Sequence, residues 1–187
     1  MAVGSDSGRR PPAPLDPARL EELALAYVAR FATSAAKLAQ YLRRKLRERG
    51  WAGPGEPDLA GLVARFVIAG YIDDAGFARA RASGLRRRGY GERRVEQALR
   101  GAGIGEAERE AARGGEAEAR RAALVLARKR GFGPFGPERP DRERREKQLA
   151  AMLRAGHPLD SARALLDAAS EAEALEWVEE AAGDSDA

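Results

Sequence analysis

LAQYLRRKLRERG, residues 38–50, places a leucine at every fourth position and ends in a glycine. This spacing puts Leu38, Leu42 and Leu46 on one face of an α-helix, and a glycine after the last apolar residue predicts the end of that helix. All three positions between Leu42 and Leu46 are arginine or lysine, and Arg47 and Arg49 follow. The stretch therefore predicts a helix with one apolar and one cationic side.

The same arrangement recurs twice further along the chain, each time after 53 residues. The recurring glycines are Gly50, Gly103 and Gly156. An apolar residue lies four positions before each of them: Leu46, Leu99 and Met152. A unit of this length predicts a three-helix bundle that buries too little surface to be stable alone. The interval therefore predicts three such bundles, of helix-turn-helix-like form, stacked in tandem.

Capping residues and changes in composition give the boundaries of these units. Asp16-Pro17, Asp73-Asp74 and the capping box Ser170-Glu-Ala-Glu173 each predict the start of a helix. The predicted organisation is a disordered leader at 1–14, helical repeats at 15–72, 73–114 and 115–169, and an acidic C-terminal helix and tail at 170–187.

Composition supports an all-α fold. Alanine, leucine, arginine and glutamate dominate, whereas β-branched and aromatic residues are scarce. Cysteine is absent, which excludes disulfides and thiolate metal sites. No apolar run approaches the length of a membrane span. We therefore expect a cytoplasmic protein without membrane contact.

The sequence offers no constellation for catalysis. A phosphate-binding GxxxxGK[ST] motif is absent, and His157 is the single histidine. His157 precedes Pro158 at a predicted helix start, which favours a loop or capping role. We expect no catalytic residues, no cofactor and no metal, and hence a binding protein that is not an enzyme.

Basic residues cluster in each predicted repeat. Residues 160–187 carry nine acids and one base, so the rest of the chain has a net charge of +12. We call the clustered residues the basic face: Arg43, Arg44, Lys45, Arg47, Arg86, Arg87, Arg88, Arg93, Arg94, Arg100, Arg128, Lys129 and Arg130. Such a surface would contact the phosphates of a polyanion such as single-stranded or double-stranded DNA, in a salt-sensitive way and without reading bases. The alternative for each cluster is an ordinary solvated helix face, with the arginine excess arising from a GC-rich genome.

Two other features leave alternatives open. Phe132 and Phe135, in the predicted Gly131–Pro140 loop, either dock on a partner or pack in the core. The acidic C-terminal helix is expected to shield the basic face, so that deletion of 170–187 would increase binding to nucleic acid. Replacing Arg86, Arg87 and Arg88 with alanine is expected to leave the fold intact.

One stretch resembles a known family. Gly70-Tyr-Ile-Asp-Asp-Ala-Gly-Phe-Ala78, followed by Arg88-Gly-Tyr-Gly91 and Leu99-Arg-Gly-Ala-Gly-Ile104, resembles the RecX family of bacterial recombination regulators. The earlier Leu42–Gly50 segment looks like that family's first unit, and the resemblance covers roughly Leu20 to Leu166.

The resemblance implies an elongated, curved arrangement of the three repeats. It also implies a protein, expected to be monomeric, that binds RecA and the RecA filament on single-stranded DNA. Such a protein would inhibit filament extension, strand exchange, ATP hydrolysis and repressor cleavage, and so modulate homologous recombination and the SOS response. It needs no catalytic residue, because it acts by differential binding to one filament state. One alternative is a helical protein that binds DNA without RecA. Another is a helical adaptor for an unrelated acidic partner.

Overall fold

The structure is a computed structural model that describes residues 13–183. Within that range it contains ten α-helices and one short 3₁₀ helix, and no β-strand. The predicted all-α class is confirmed. Residues 1–12 of the predicted leader, and the tail at 184–187, lie outside the described residues. The chain divides into two compact units, Met1–Asp73 and Asp74–Ala187.

The first unit contains three helices around one core. They are α1 (Pro17–Arg30), α2 (Ala35–Arg49) and α3 (Leu59–Ile68). Asp16 caps α1 as predicted, accepting a hydrogen bond from the Arg19 N–H (2.9 Å). Ser34 caps α2 in the same way, accepting from the Lys37 N–H (3.2 Å). The buried side chains of this first core are Leu15, Leu20, Ala24, Leu38, Leu42, Leu62, Phe66 and Ile72.

The chain just before α1 is fixed to the end of α2. Leu15 donates its N–H to the Gly50 carbonyl (3.0 Å), and its own carbonyl accepts from the Ala52 N–H (2.8 Å). The Arg49 guanidinium donates to the carbonyl of Ala13 at 2.8 and 3.0 Å. Ordered structure therefore begins before the predicted first repeat.

The second unit contains the remaining helices around two cores. They are α4 (Asp74–Arg86), α5 (Glu92–Arg100), α6 (Glu106–Ala111), α7 (Glu116–Arg130), a 3₁₀ turn at Gly133–Phe135, α8 (Arg142–Arg154), α9 (Leu159–Asp167) and α10 (Glu171–Gly183). The second core comprises Ala78, Ala82, Leu85, Val95, Leu99, Ala102, Ile104 and Ala112. The third core comprises Ala123, Leu124, Ala127, Met152, Ala162, Leu165, Leu166, Ala168, Ala174 and Val178.

The third core includes side chains from two segments outside its predicted helices, namely α10 and the Gly131–Pro140 loop. Ala174 and Val178 of α10 are buried in it, so the acidic C-terminal helix is an integral part of this bundle. Phe132 and Phe135 are half-buried against the same core, which confirms the core-packing alternative for the Gly/Pro loop. Deleting α10 would therefore expose apolar surface as well as remove acidic charge.

The recurring glycines do not all end their helices in the same way. Gly103 and Gly156 have positive φ angles of 71° and 97°, and the N–H of the residue after each donates to the carbonyl of Leu99 (3.1 Å) or Met152 (3.2 Å). This is the Schellman pattern. Gly50 also has a positive φ angle of 79°, but it donates its own N–H to the Leu46 carbonyl (2.8 Å) before the chain extends toward Trp51. The three equally spaced glycines thus end their helices with two different hydrogen-bond patterns.

Within the second unit, the second and third cores meet at a close crossing of two glycine-containing turns. The Gly91 N–H donates to the Ala155 carbonyl (3.0 Å), and the Arg93 N–H donates to the Gly156 carbonyl (3.3 Å). A Cβ on Gly156 would lie 2.5 Å from the backbone nitrogen of Arg94. Glycine is therefore required there by both contact distance and backbone conformation. We call these contacts the glycine crossing.

His157 is buried beside the glycine crossing. Its side chain is 0% exposed, and its Nε2 lies 3.0 Å from the Gly89 carbonyl oxygen. Since a carbonyl only accepts, the neutral ring donates through Nε2–H and Nδ1 carries no proton. Nδ1 has no hydrogen-bond partner among residues 13–183. Burial lowers the pKa of His157, although Gly89 and the Glu92 carboxylate act in the opposite direction.

Candidate polyanion-binding surface

Helix α2 presents the cationic side that its sequence predicts. Leu38 and Leu42 are fully buried in the first core, whereas Arg43, Arg44 and Arg47 are exposed. Several polar and aromatic side chains line an open depression of about 530 Å³ on this side. They are Tyr27, Lys37, Gln40, Tyr41, Arg43, Arg44 and Arg47.

Two of the lining residues, Tyr27 and Tyr41, are aromatic. The rings of Tyr27 and Tyr41 are stacked, with centroids 4.3 Å apart and planes inclined by 18°. The guanidinium of Arg44 lies 5.7 Å from the Tyr41 centroid and the ammonium of Lys45 lies 5.9 Å from it, both within the range of a cation–π interaction. Tyr41 thus carries two cationic groups near its ring, at the edge of the depression.

The basic residues of α2 differ in their internal partners. Arg44 and Lys45 pair with Glu48 at 3.5 and 2.7 Å, and the Lys45 hydrogen bond lowers the pKa of that carboxyl group. Arg43 and Arg47 have no carboxylate within 4 Å in the part of the chain that the structure describes. These two side chains are consequently the ones available to an external anion.

Arg86 does not belong on an exposed basic face. Its side chain is 10% exposed and donates to both oxygens of Glu92, at 2.6 and 2.9 Å, and to the Ala112 carbonyl at 2.8 Å. Glu118 lies 3.7 Å from the same guanidinium, and the hydrogen bond to Glu92 raises the pKa of Arg86. The prediction that Arg86 faces solvent is wrong, because its guanidinium links α4 to the start of α5 and to the end of α6.

The next two arginines are exposed as predicted. Arg87 donates to the Ser83 hydroxyl (2.6 Å), and Arg88 donates to the Gly84 carbonyl (3.0 Å) and lies 5.9 Å from the Tyr90 ring. No described carboxylate neutralises either one. The three consecutive arginines therefore have two different environments.

Arg93 and Arg94 lie at the start of α5 and are both exposed. The structure brings them to Arg154, at the end of α8, in a cleft of about 250 Å³ that also includes Gln97, Leu153 and Gly156. Sequence reasoning missed Arg154, which lies 61 residues beyond Arg93. The only feature of the sequence that pointed to Arg154 was its position near the end of a basic helix. Arg154 becomes a neighbour of α5 through the glycine crossing.

The remaining residues of the basic face lie on helix ends. Arg100 is exposed but pairs with Glu96 (2.9 Å), which also pairs with Arg109. Arg128, Lys129 and Arg130 are exposed in the last turn of α7, where the helix dipole favours cations. Arg128 lies 5.5 Å from the Phe135 ring. The structure thus shows exposed basic residues on α2, after α4, on α5 and at the end of α7.

Other kinds of site are not apparent in residues 13–183. No group of three or more potential metal ligands occurs among them. None of the helices in that range is both long and apolar enough to cross a bilayer.

Known proteins resemble this chain in sequence and in fold. No family model matches the sequence. The regulatory protein RecX of Myxococcus xanthus (strain DK1622) is 31% identical to it over 171 residues, which represent 87% of this chain and 91% of that protein. A crystal structure of RecX from Lactobacillus salivarius superposes with a TM-score of 0.62 at 14% identity, over 87% of this chain and 96% of that one.

The helices, cores and exposed arginines define the class as an all-helical protein with basic surface patches. The similarity to the Myxococcus protein extends over most of both sequences, and the Lactobacillus structure has the same fold. The chain belongs to the RecX family. The resemblance centred on Gly70–Ala78 is therefore confirmed.

Proposed function

We propose that this protein is a regulator of the RecA system that binds RecA and the RecA filament on single-stranded DNA. It lowers filament extension, strand exchange, ATP hydrolysis and repressor cleavage. It acts through binding alone, as a cytoplasmic monomer. The observation that carries the proposal is the similarity to a regulatory protein RecX over nine-tenths of that protein's length.

The electrostatics of the described surface support a polyanionic partner. Arg43, Arg47, Arg87 and Arg93 are exposed and lack carboxylate partners in the described structure. An arginine without an internal partner can donate its planar fork to phosphate or carboxylate without first breaking an ion pair. Both chemistries are present on a filament of protein and DNA.

We further propose that the chain forms three tandem helical repeats, of which the third also includes α10. The three hydrophobic cores and the 53-residue interval support this organisation. A row of basic patches on such a molecule would contact more than one subunit of a filament. Binding to several subunits at once would favour one filament state over another.

The proposal is tested with preformed RecA filaments on single-stranded DNA. At stoichiometric amounts, the protein is expected to co-sediment with the filaments and to lower RecA ATP hydrolysis. Unchanged hydrolysis without co-sedimentation would end the proposal.

A matched pair of variants tests the contribution of the α2 patch. Arg43→Gln with Arg47→Gln removes two unpaired cations. Arg142→Gln with Arg144→Gln removes the same charge from side chains that lie 3.4 and 3.6 Å from Glu146 and Glu138. The first pair is expected to weaken inhibition several-fold and the second to have little effect. Equal loss in both would show that net charge, and not the α2 patch, determines binding.

A second candidate function is DNA binding without RecA. The depression on α2 favours it, because cationic side chains surround the aromatic surface of Tyr41 there, a combination that also occurs where proteins bind single strands. Salt-sensitive DNA binding fits both functions. Recruitment to DNA only in the presence of RecA separates them.

A further inference from the structure

The cleft between α5 and the end of α8 is built from two bundles of the second unit. Arg93, Arg94 and Gln97 come from the helix that follows Gly91, and Arg154 comes from the last turn before Gly156. The hydrogen bond from the Arg93 N–H to the Gly156 carbonyl (3.3 Å) fixes the two backbones against each other. The fold therefore places these three arginine residues around one cleft before any ligand arrives.

The lining of this cleft is cationic without internal compensation. Arg93 and Arg154 have no carboxylate within 4 Å among residues 13–183, and Arg94 donates to the Gln97 side-chain oxygen at 2.7 Å. No acidic side chain lines the cleft. Like charges held together repel one another, and an anion bound between them would relieve that repulsion. The Gln97 amide adds a neutral donor.

The size and the chemistry of the cleft favour phosphate. Its volume of about 250 Å³ is several times the share of one water molecule in the liquid, ~30 Å³, so a phosphate group with part of its ester chain can enter. Leu153 is the single large apolar side chain in the lining. An acidic peptide would typically also need apolar pockets for its side chains, whereas a phosphodiester backbone needs only donors.

We propose that this cleft, formed by Arg93, Arg94, Gln97 and Arg154, binds one phosphodiester group of single-stranded DNA. The inference deepens the proposed function, on which it rests, by locating a direct contact with the DNA of the filament. Arg154 is its distinguishing residue because it lies outside the basic face defined from the sequence.

The test measures binding of a fluorescein-labelled 20-nucleotide thymidine strand to the full-length protein without RecA, by anisotropy over a range of salt concentrations. Arg154→Gln is expected to weaken binding about three- to tenfold and to reduce the slope of log K against log salt by ~0.7, the value for one phosphate contact on a single strand. Arg154→Lys keeps the charge but loses the fork, so its slope is expected to stay unchanged while affinity falls less.

Arg121→Gln is the matched control. Arg121 is exposed on α7 and does not line the cleft, so this variant loses the same charge elsewhere. Indistinguishable affinities and slopes for Arg154→Gln and Arg121→Gln would overturn the proposal. The proposal would also be overturned if polyglutamate competed with the labelled strand as strongly as unlabelled DNA does, and if Arg154→Gln weakened the binding of polyglutamate and DNA equally. The cleft would then be a carboxylate site.

The outcome is separable from that of the proposed function. Strand binding that depends on Arg154, in a protein that leaves RecA unaffected, would retain the cleft and reject RecA regulation. RecA inhibition in a protein whose strand binding ignores Arg154 would retain the regulator and reject the cleft.

Discussion

Replacing Arg86 with alanine tests whether this arginine is a structural anchor. The substitution removes a guanidinium that donates twice to Glu92 and once to the Ala112 carbonyl. It leaves the Glu92 carboxylate, whose side chain is 23% exposed, with a longer hydrogen bond from the Gly114 N–H (3.3 Å). The link between α4, α5 and the end of α6 is lost with it.

The cost can be worked from these contacts. Removing one partner of a buried ion pair typically destabilises a protein by about 3–5 kcal/mol, because the other charge stays behind without compensation. Glu92 retains some access to water and one donor, which places Arg86→Ala near the lower limit, at about 3 kcal/mol. With a urea dependence near 2 kcal/mol per molar, the unfolding midpoint falls by about 1.5 M.

Urea unfolding followed by Trp177 fluorescence measures this loss. Trp177 packs against the third core and beneath Arg120, whose guanidinium lies 4.7 Å from its ring. The other tryptophan, Trp51, is replaced by phenylalanine in parent and variants alike, so that the signal reports the second unit. Arg87→Ala is the control, with an expected change within about 0.5 kcal/mol because Arg87 is exposed. A cost for Arg86→Ala below about 1 kcal/mol, the range of surface ion pairs, would refute the reasoning.

Three further predictions concern the third bundle. Gly156→Ala forces a Cβ against the Arg94 backbone at a φ of +97°, and it is expected to lower the free energy of unfolding by about 2–4 kcal/mol. Gly115 has open space around it, so the control Gly115→Ala is expected to change stability by less than about 1 kcal/mol in the same urea titration. The second prediction concerns pH. Burial lowers the folded-state pKa of His157 below the ordinary 6.5, so the unfolded chain binds the proton more readily than the folded protein does. The stability that the neutral buried ring contributes is therefore complete above pH 6.5 and is lost as the pH falls through the folded-state pKa. Stability measured at pH 7.5 and at pH 5 should differ less in His157→Gln than in the parent, and an equal difference would contradict the burial argument. Deletion of 171–187 should expose the third core and increase binding of a hydrophobic dye; a truncated protein with parental stability and stronger DNA binding would instead support electrostatic shielding by α10.

Local patterns in the sequence were sufficient to place most helices. Asp16 and Ser34 cap helices because their short side chains reach the free N–H groups of the first turn, a property that depends only on neighbouring residues. The leucines of α2 are buried for the same local reason, since a spacing of four maintains one helix face. All-helical architecture and family membership both followed from such signals.

Features that depend on docking between distant segments could not be read in this way. Arg86 and Arg87 are adjacent and chemically identical, but a rotation of one residue around α4 places the first against Glu92 and the second in solvent. Arg154 joins Arg93 only because Gly91 and Gly156 let two backbones touch. A cationic cluster in the sequence therefore does not show which of its arginines are used internally.

The glycine crossing also determines how the second unit comes apart. In a linear array of repeats, each unit meets its neighbour through side chains, and one unit can unfold while the next persists. Here the bundles on either side of residue 115 exchange backbone hydrogen bonds and share the buried His157 ring. Unfolding one bundle would leave the backbone N–H and carbonyl groups of the other without their hydrogen-bond partners. Residues 74–183 are therefore expected to unfold as one cooperative block. A fragment ending at residue 114 would lack the partner of Gly91 and is therefore not expected to fold like the intact unit.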